Sequence, residues 1–291
     1  MKARTTLATA FRRASLSSTS RAAAVRSTTA SGSQVYESRR AVDEYLLFHY
    51  GDASDVMPYA FGPAAALDFP RRLAELVCIA DSGGGGKRGR ALDIGCSVGG
   101  SAFELARHYE HVVGIDFSQH FVDAANDMKH NGTRSFEVLK QGQLFLPRQA
   151  TVPSGIDRSR VSFQQGDACH LDAGALGTFN AILASNLLCR LPSPRLFIDR
   201  VATLLRPGGV LVLVSPYSWL DEYTPRAEWF GAKVDAATGQ SQDSFRALQA
   251  YIQTQKIPLA LKSQEDVPFL IREHERKFQY GVSDCTVWQR T

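Results

Sequence analysis

From Tyr36 onward the chain alternates short β-rich apolar runs with longer stretches of helical periodicity. Leu67, Leu73, Leu76 and Val77 recur at helical spacing and predict a helix over 64–80. Strands are expected at 90–94, 111–115, 161–165, 179–184 and 210–215, and helices at 99–109, 118–130 and 194–205. Val210 to Ser215 is the most continuously apolar of these runs, which argues for a strand buried on both faces, as at the centre of a parallel sheet. Residues 133–160, with Pro147 and Pro153, read as an irregular insertion, and a second insertion is expected from Trp219 to about Asp266. Val267–Glu275 and Asp284–Gln289 read as a closing antiparallel hairpin at one edge. The pattern as a whole predicts an α/β fold with an open, mostly parallel, doubly wound sheet.

The segment before Tyr36 breaks this pattern. It is rich in Ser, Thr, Ala and Arg and has no acid before Glu37, the composition of an organelle transit peptide. Leu7, Phe11 and Leu16 beside Arg4, Arg12 and Arg13 suggest a loosely amphipathic basic helix. The arginines favour a mitochondrial over a chloroplast address; without an address the chain is expected in the cytoplasm. The domain division is therefore 1–35, an extension, and 36–291, one folded domain.

Composition narrows the function. The 291 residues carry a formal charge of +4, but six of the basic residues precede Glu37, so the remainder is slightly acidic. That is a poor footprint for a phosphate backbone, and no nucleic-acid partner is expected. No apolar run reaches the roughly 20 residues of a membrane-spanning helix. Five cysteines without a CxxC pair read as reduced thiols, and no metal site is expected. His108 and His111 have no third ligand nearby.

The candidate chemistry begins at Ala91 to Gly100, ALDIGCSVGG: an apolar strand, an acid, a small-residue turn and a helix start. Gly95, Ser97 and Gly99 let a ligand approach the backbone, with Cys96 between them as a small residue that fits. Asp93 beside that turn would repel a pyrophosphate, but it suits a ligand bearing an ammonium group, such as the methionine part of S-adenosylmethionine (SAM). Asp116, 23 residues on, ends the next strand where a carboxylate accepts from ribose hydroxyls. Phe117 is placed to pack on adenine, and Asp167 with Ala168 follows the next strand, placed for the adenine amino group. Asn186, in ASNLL after the fourth strand, completes the cofactor set. An acid in such a place is as often a helix cap; three in order at successive strand ends point to a nucleoside ligand.

These segments, with LRPGGVLVL at 205–213, resemble the class I SAM-dependent methyltransferases. The resemblance narrows further on YE at 36–37, AVDEYLLFHYG at 41–51, PY at 58–59, FGP at 61–63, FPR at 69–71, SPYSW at 215–219 and FLIRE at 269–273. Over 36–288 these resemble the 4-mercaptohistidine N1-methyltransferases of ovothiol biosynthesis, a domain often fused to an iron-dependent sulfoxide synthase. The resemblance implies a Rossmann-like fold, SAM as cofactor, N-methylation of the imidazole of 5-thiohistidine, and a separate sulfoxide synthase that supplies the substrate. Methylation of another small polar metabolite and a SAM-binding accessory role without catalysis are the alternatives.

For an amino-acid-like acceptor, Arg226 or Arg272 is expected at the carboxylate and Glu222 or Glu273 at the ammonium. Tyr45, Tyr50, Tyr217, Trp219 and Trp229 are candidate ring walls, and His49 and Tyr50, with Tyr217, are candidates to orient the ring or relay its proton.

Overall fold

The computed structural model describes residues 36–81, 88–234 and 239–291. The expected 1–35 extension and the glycine loop at 82–86 lie outside these residues.

The described chain opens with α1 (Arg39–Tyr50), α2 (Ala53–Val56) and α3 (Phe69–Ala80), followed by β1 (Arg88–Ile94), α4 (Gly100–Leu105), β2 (Tyr109–Asp116) and α5 (Gln119–Asn131). Next come β3 (Thr133–Gln141), β4 (Leu144–Thr151), β5 (Val161–Gln165), α6 (Ala173–Leu176), β6 (Phe179–Ser185), α7 (Pro194–Leu204) and β7 (Leu205–Ser215). It closes with β8 (Lys233–Val234), β9 (Ser241–Gln242), α8 (Ser244–Thr254), β10 (Leu259–His274) and β11 (Lys277–Arg290).

Seven strands make the main sheet in the order β5-β2-β1-β6-β7-β11-β10. The first five are parallel; β11 runs antiparallel to β7, and β10 antiparallel to β11. This is the expected mostly parallel, doubly wound sheet with an antiparallel edge pair.

Strand alternation sorts the core onto two faces. Ala181, Leu183, Val210, Val212 and Val214 pack with α1, α3, α4 and α5, whereas Ile182, Leu211 and Leu213 pack with α7 and α8 on the other side. β7 reads as a continuous apolar run because both of its faces are covered, and Val210 to Ser215 are all buried. By the same alternation Asp93 follows Ala91 onto the first face, below α1 and α4.

Three departures from the sequence reading have physical causes. Residues 133–151 are an antiparallel hairpin, not an irregular insertion. Phe136, Val138 and Ala150 supply its buried face, and Pro147 is accommodated because β4 is an edge strand in a two-stranded sheet. The predicted 64–80 helix is split: a short 3-10 turn at 64–66 precedes α3, and Asp68, at φ 53°, breaks the run. In the second insertion α8 forms behind the Asp243 cap and buries Leu248 and Ile252. β10 also begins at Leu259, eight residues before the expected start.

Close packing around Phe163 couples the sheet to the small-residue turn. A Cβ at Gly114 would lie 2.6 Å from Phe163 Cδ1, and one at Gly99 2.5 Å from its Cζ. Gly114→Ala is therefore expected to destabilise the fold by about 1–3 kcal/mol through overpacking. The check is a lower midpoint of urea unfolding at unchanged m-value.

Candidate active site

The turn after β1 is the floor of the site. Gly95 (φ 75°), Ser97 (φ 49°) and Gly99 (φ 90°) all take left-handed backbone. Ser97 holds that strained conformation because its amide donates to Asp116 Oδ2 at 2.8 Å, tying the turn to the end of β2. Asp116 Oδ1 accepts from the Ser118 amide at 2.9 Å, and Ser118 caps α5.

A cavity of about 360 Å³ opens above this floor. Asp93, Gly95, Cys96, Ser97, Asp116, Phe117, Asp167, Ala168 and Asn186, nine of the ten expected cofactor residues, line it together. Gly99 does not. Its missing side chain makes room for Phe163 and Ala125, so it is a packing glycine.

The acids differ in state. Asp93 is 2% exposed, and its Oδ2 is buried with no hydrogen-bond partner. Burial, with Asp116 nearby, raises its pKa to about 7. Burial likewise raises Asp116 to about 6, opposed by the amides of Ser118 and Ser97. Asp167 is engaged locally: it accepts from the Cys169 amide at 2.8 Å, and His170 Nδ1 lies 2.8 Å from its other oxygen. Asp167 therefore does the work of a cap while still facing the cavity. Asn186 (φ 51°) accepts from Ser283 Oγ at 2.7 Å, joining β6 to the closing hairpin.

A lone buried carboxylate oxygen is costly unless something pairs with it. The residues present therefore fit SAM: Asp93 for the ammonium, Asp116 for the ribose and Phe117, 37% exposed, for the adenine face.

The roof comes from α1, which Ser38 caps at its start by accepting from the Ala41 amide. Ala41, Val42, Leu46 and Leu47 face the core, leaving Tyr45, Phe48 and His49 toward the cavity. His49 Nδ1 accepts from the Gly100 amide at 3.0 Å, a contact that any Cβ at Gly100 would fill at 2.6 Å. Burial lowers the His49 pKa to about 3. The ring is thus neutral, with Nδ1 occupied as an acceptor and its proton on Nε2. It can donate and orient, and its lowered pKa disfavours its taking up a proton as the relay its position in sequence suggested. Tyr50 donates to the Val98 carbonyl at 2.7 Å and fastens the roof to the turn; it does not line the cavity.

Most of the expected acceptor contacts lie elsewhere. Tyr217, at φ 49°, turns its hydroxyl to Asp284 at 2.9 Å. Trp219 is buried, with its indole N–H on Ser244, and stacks against Trp229. Glu222 is exposed, and Arg226, also exposed, pairs with Asp221 at 2.9 Å. Arg272 is buried with its guanidinium on the Asp55 carbonyl, and Glu273 pairs with Lys277 at 2.6 Å. Apart from Glu222, these side chains are already committed to partners within the fold. The sequence reading did not assign Tyr36, Phe48, Arg190, Tyr223, Gln279 or Tyr280 to the site, yet all line the cavity. Arg190 lies two residues after the ASNLL segment at the end of β6, which was a usable signal. Gln279 and Tyr280 depend on the pairing of β10 with β11, which local pattern does not reveal.

Comparisons with known proteins agree with this geometry. Residues 92–213 match the family described as a methyltransferase domain. The ribosomal RNA small subunit methyltransferase C of Alcanivorax borkumensis is 29% identical over 143 residues, 47% of this chain and 37% of that protein. The match thus spans well under half of the relative's length. Among solved structures, the [4+2]-cyclase SpnF superposes with a TM-score of 0.54 at 18% identity, over 88% of this chain and 94% of its own. The N-methyltransferase NodS of Bradyrhizobium japonicum WM9, in complex with S-adenosylhomocysteine (SAH), gives 0.46 at 16% identity over 86% and 98%.

The pairing logic of Asp93 is directly testable. Its raised pKa means that the folded protein without ligand favours the protonated acid; that contribution is present below about pH 4 and is lost as pH rises through 7. Asp93→Asn is expected to raise the melting temperature of the ligand-free protein by several degrees at pH 8, with the gain shrinking toward pH 4. The same variant should lose the melting shift that SAH gives the wild type. A variant that melts lower at pH 8 and still responds to SAH contradicts this assignment.

With that family match set in a doubly wound, Rossmann-like sheet whose strand ends present a nucleoside-binding turn, residues 92–213 are similar to a SAM-dependent methyltransferase domain.

Proposed function

We propose that the protein is a SAM-dependent N-methyltransferase of a small, polar, amino-acid-like acceptor, and specifically of the imidazole ring of 5-thiohistidine. The observation that carries this reading is the roof. The tyrosine-rich segment on which the resemblance to 4-mercaptohistidine N1-methyltransferases rests most heavily is the one that forms α1. Its Tyr45, Phe48 and His49 close the cavity above Asp93 and Asp116.

SAM, when bound, supplies a methyl group already activated by its sulfonium. The chain's own residues then need only hold, orient and keep out water. Asp93 takes the ammonium, and Asp116 keeps acceptor capacity for ribose hydroxyls beyond its two amide contacts. The rings of Tyr36, Tyr45, Phe48 and Phe121 give flat walls for an imidazole. A ring nitrogen has a free lone pair, so transfer requires no strong base. The ring proton leaves to solvent after the new N–C bond forms, and His49 Nε2–H donates to fix the ring's orientation.

The RNA substrate in the curated relative's name is not carried over, because the site is a roofed pocket and the chain beyond residue 36 is slightly acidic. A sulfoxide synthase as supplier of the substrate, and a mitochondrial address in residues 1–35, belong to the same proposal.

Full-length protein incubated with SAM and a panel of 5-thiohistidine, histidine and common amines, read by mass spectrometry, tests this reading. A methyl gained selectively on the thiohistidine ring is the expected outcome. Methylation of another acceptor, or SAH binding with no methylated product, overturns it; the latter favours an accessory role.

The committed partners of Arg272 also set an expectation. Arg272→Met should lower the melting temperature by disturbing the α2–β10 contact, while acceptor KM in the properly folded fraction stays within about twofold.

A further inference from the structure

The cavity contains a charge that nothing in the protein neutralises. Its described lining holds three carboxylates, Asp93, Asp116 and Asp167, and two groups able to be cationic, His49 and Arg190. His49 is neutral, as its contact with Gly100 and its burial require. Arg190 is half-buried on the turn after β6 and makes no ion pair among the described residues. Protein contacts fix its orientation without cancelling its charge: Nη1 donates to the Ser218 carbonyl at 2.7 Å and to the Cys189 carbonyl at 3.2 Å. The guanidinium lies 4.8 Å from the centre of the Tyr223 ring, on the wall that Tyr36 also lines. A guanidinium held this way on a concave wall, with donors to spare, is preorganised for a planar anion.

We propose that Arg190, steadied by Tyr223 and the Ser218 and Cys189 carbonyls, is the carboxylate anchor of the methyl acceptor, and so makes the enzyme selective for amino acids over their decarboxylated amines. The inference deepens the proposed function and rests on its reading of the pocket as an amino-acid site. It also replaces Arg226 and Arg272, which the fold uses elsewhere.

SAM has a carboxylate too, and titration with SAH separates the two. In SAM the carboxylate and the ammonium share one carbon, so an anchor for that carboxylate must lie close to Asp93. Asp93 lies on the floor of the cavity, near the end of β1. Arg190 sits on the turn after β6, against the Tyr223 ring in the aromatic part of the wall.

The test is calorimetry on full-length protein. Wild type, Arg190→Gln and Arg190→Lys are titrated first with SAH, and then, saturated with SAH, with 5-thiohistidine, histidine and histamine. Melting curves check that each variant is folded. Losing a charge-assisted forked contact corresponds to about 10–100-fold in affinity. Wild type should therefore bind the carboxylate-bearing probes at least about 10-fold more tightly than histamine. Arg190→Gln should lose that preference with SAH affinity changed less than about threefold, and Arg190→Lys, which keeps charge but not the fork, should fall between.

An equal loss of SAH affinity assigns the guanidinium to the methionine carboxylate and overturns the proposal. So does a wild type that shows no carboxylate preference, or that binds none of the carboxylate probes. If histidine binds in an Arg190-dependent way but 5-thiohistidine is not methylated, the anchor stands and the proposed acceptor falls.

Discussion

A carboxylate placed where water cannot reach it organises this molecule. Asp93 sits near the end of a central strand with one oxygen unpartnered, on the face of the sheet that α1 and α4 cover. Burying a charge without a partner is among the costlier arrangements a fold can hold. The protein softens the cost by letting the group titrate near neutrality, and the arrangement makes sense once a ligand ammonium completes it. The rest of the site is built to hold that geometry. The turn is locked by the Ser97 amide on Asp116, α5 is capped by Ser118 one residue beyond Phe117, and both the turn and β2 close against Phe163.

The second organising contact is between the roof and the floor. His49 reaches down to the Gly100 amide and Tyr50 to the Val98 carbonyl, so α1 is joined to the cofactor turn by two hydrogen bonds on adjacent residues. The α1 segment does more than cover the pocket. Its aromatic inner face is tied to the turn by these two bonds. SpnF, whose name describes a cyclase, shares the fold, which shows that the sheet alone does not determine the chemistry. In this chain the wall carries neutral His49, tyrosines from two ends of the sequence and, among the described lining residues, the single cation Arg190.

How much of this could be read in advance follows from which interactions are local. The strand–acid–turn–helix unit around Asp93, and the acids at 116 and 167, are short-range patterns, and the structure gathers them around one cavity. The antiparallel edge pair and the doubly buried β7 were equally readable from apolar runs. The hairpin at 133–151 was hidden by Pro147, which is disruptive in a central strand but harmless at an edge. The acceptor side was largely missed for a different reason. Charged and aromatic side chains such as Arg272, Glu273, Trp219 and Tyr217 look available in sequence, and only the fold reveals that Asp55, Lys277, Ser244 and Asp284 already engage them. Tyr36, Arg190 and Tyr223 are brought together by tertiary packing across nearly two hundred residues of chain.

The claim on which all this rests is that Asp93 waits for an ammonium group. Its most direct measurement is proton release on SAM binding, obtained by calorimetry near pH 6.5 in buffers of differing ionisation enthalpy. With the free acid titrating at about 7 and the bound one ionised, each SAM bound should displace between about half a proton and one proton. That release should vanish in Asp93→Asn wherever binding is still detectable. Binding of normal affinity with no proton released by the wild type would contradict the account.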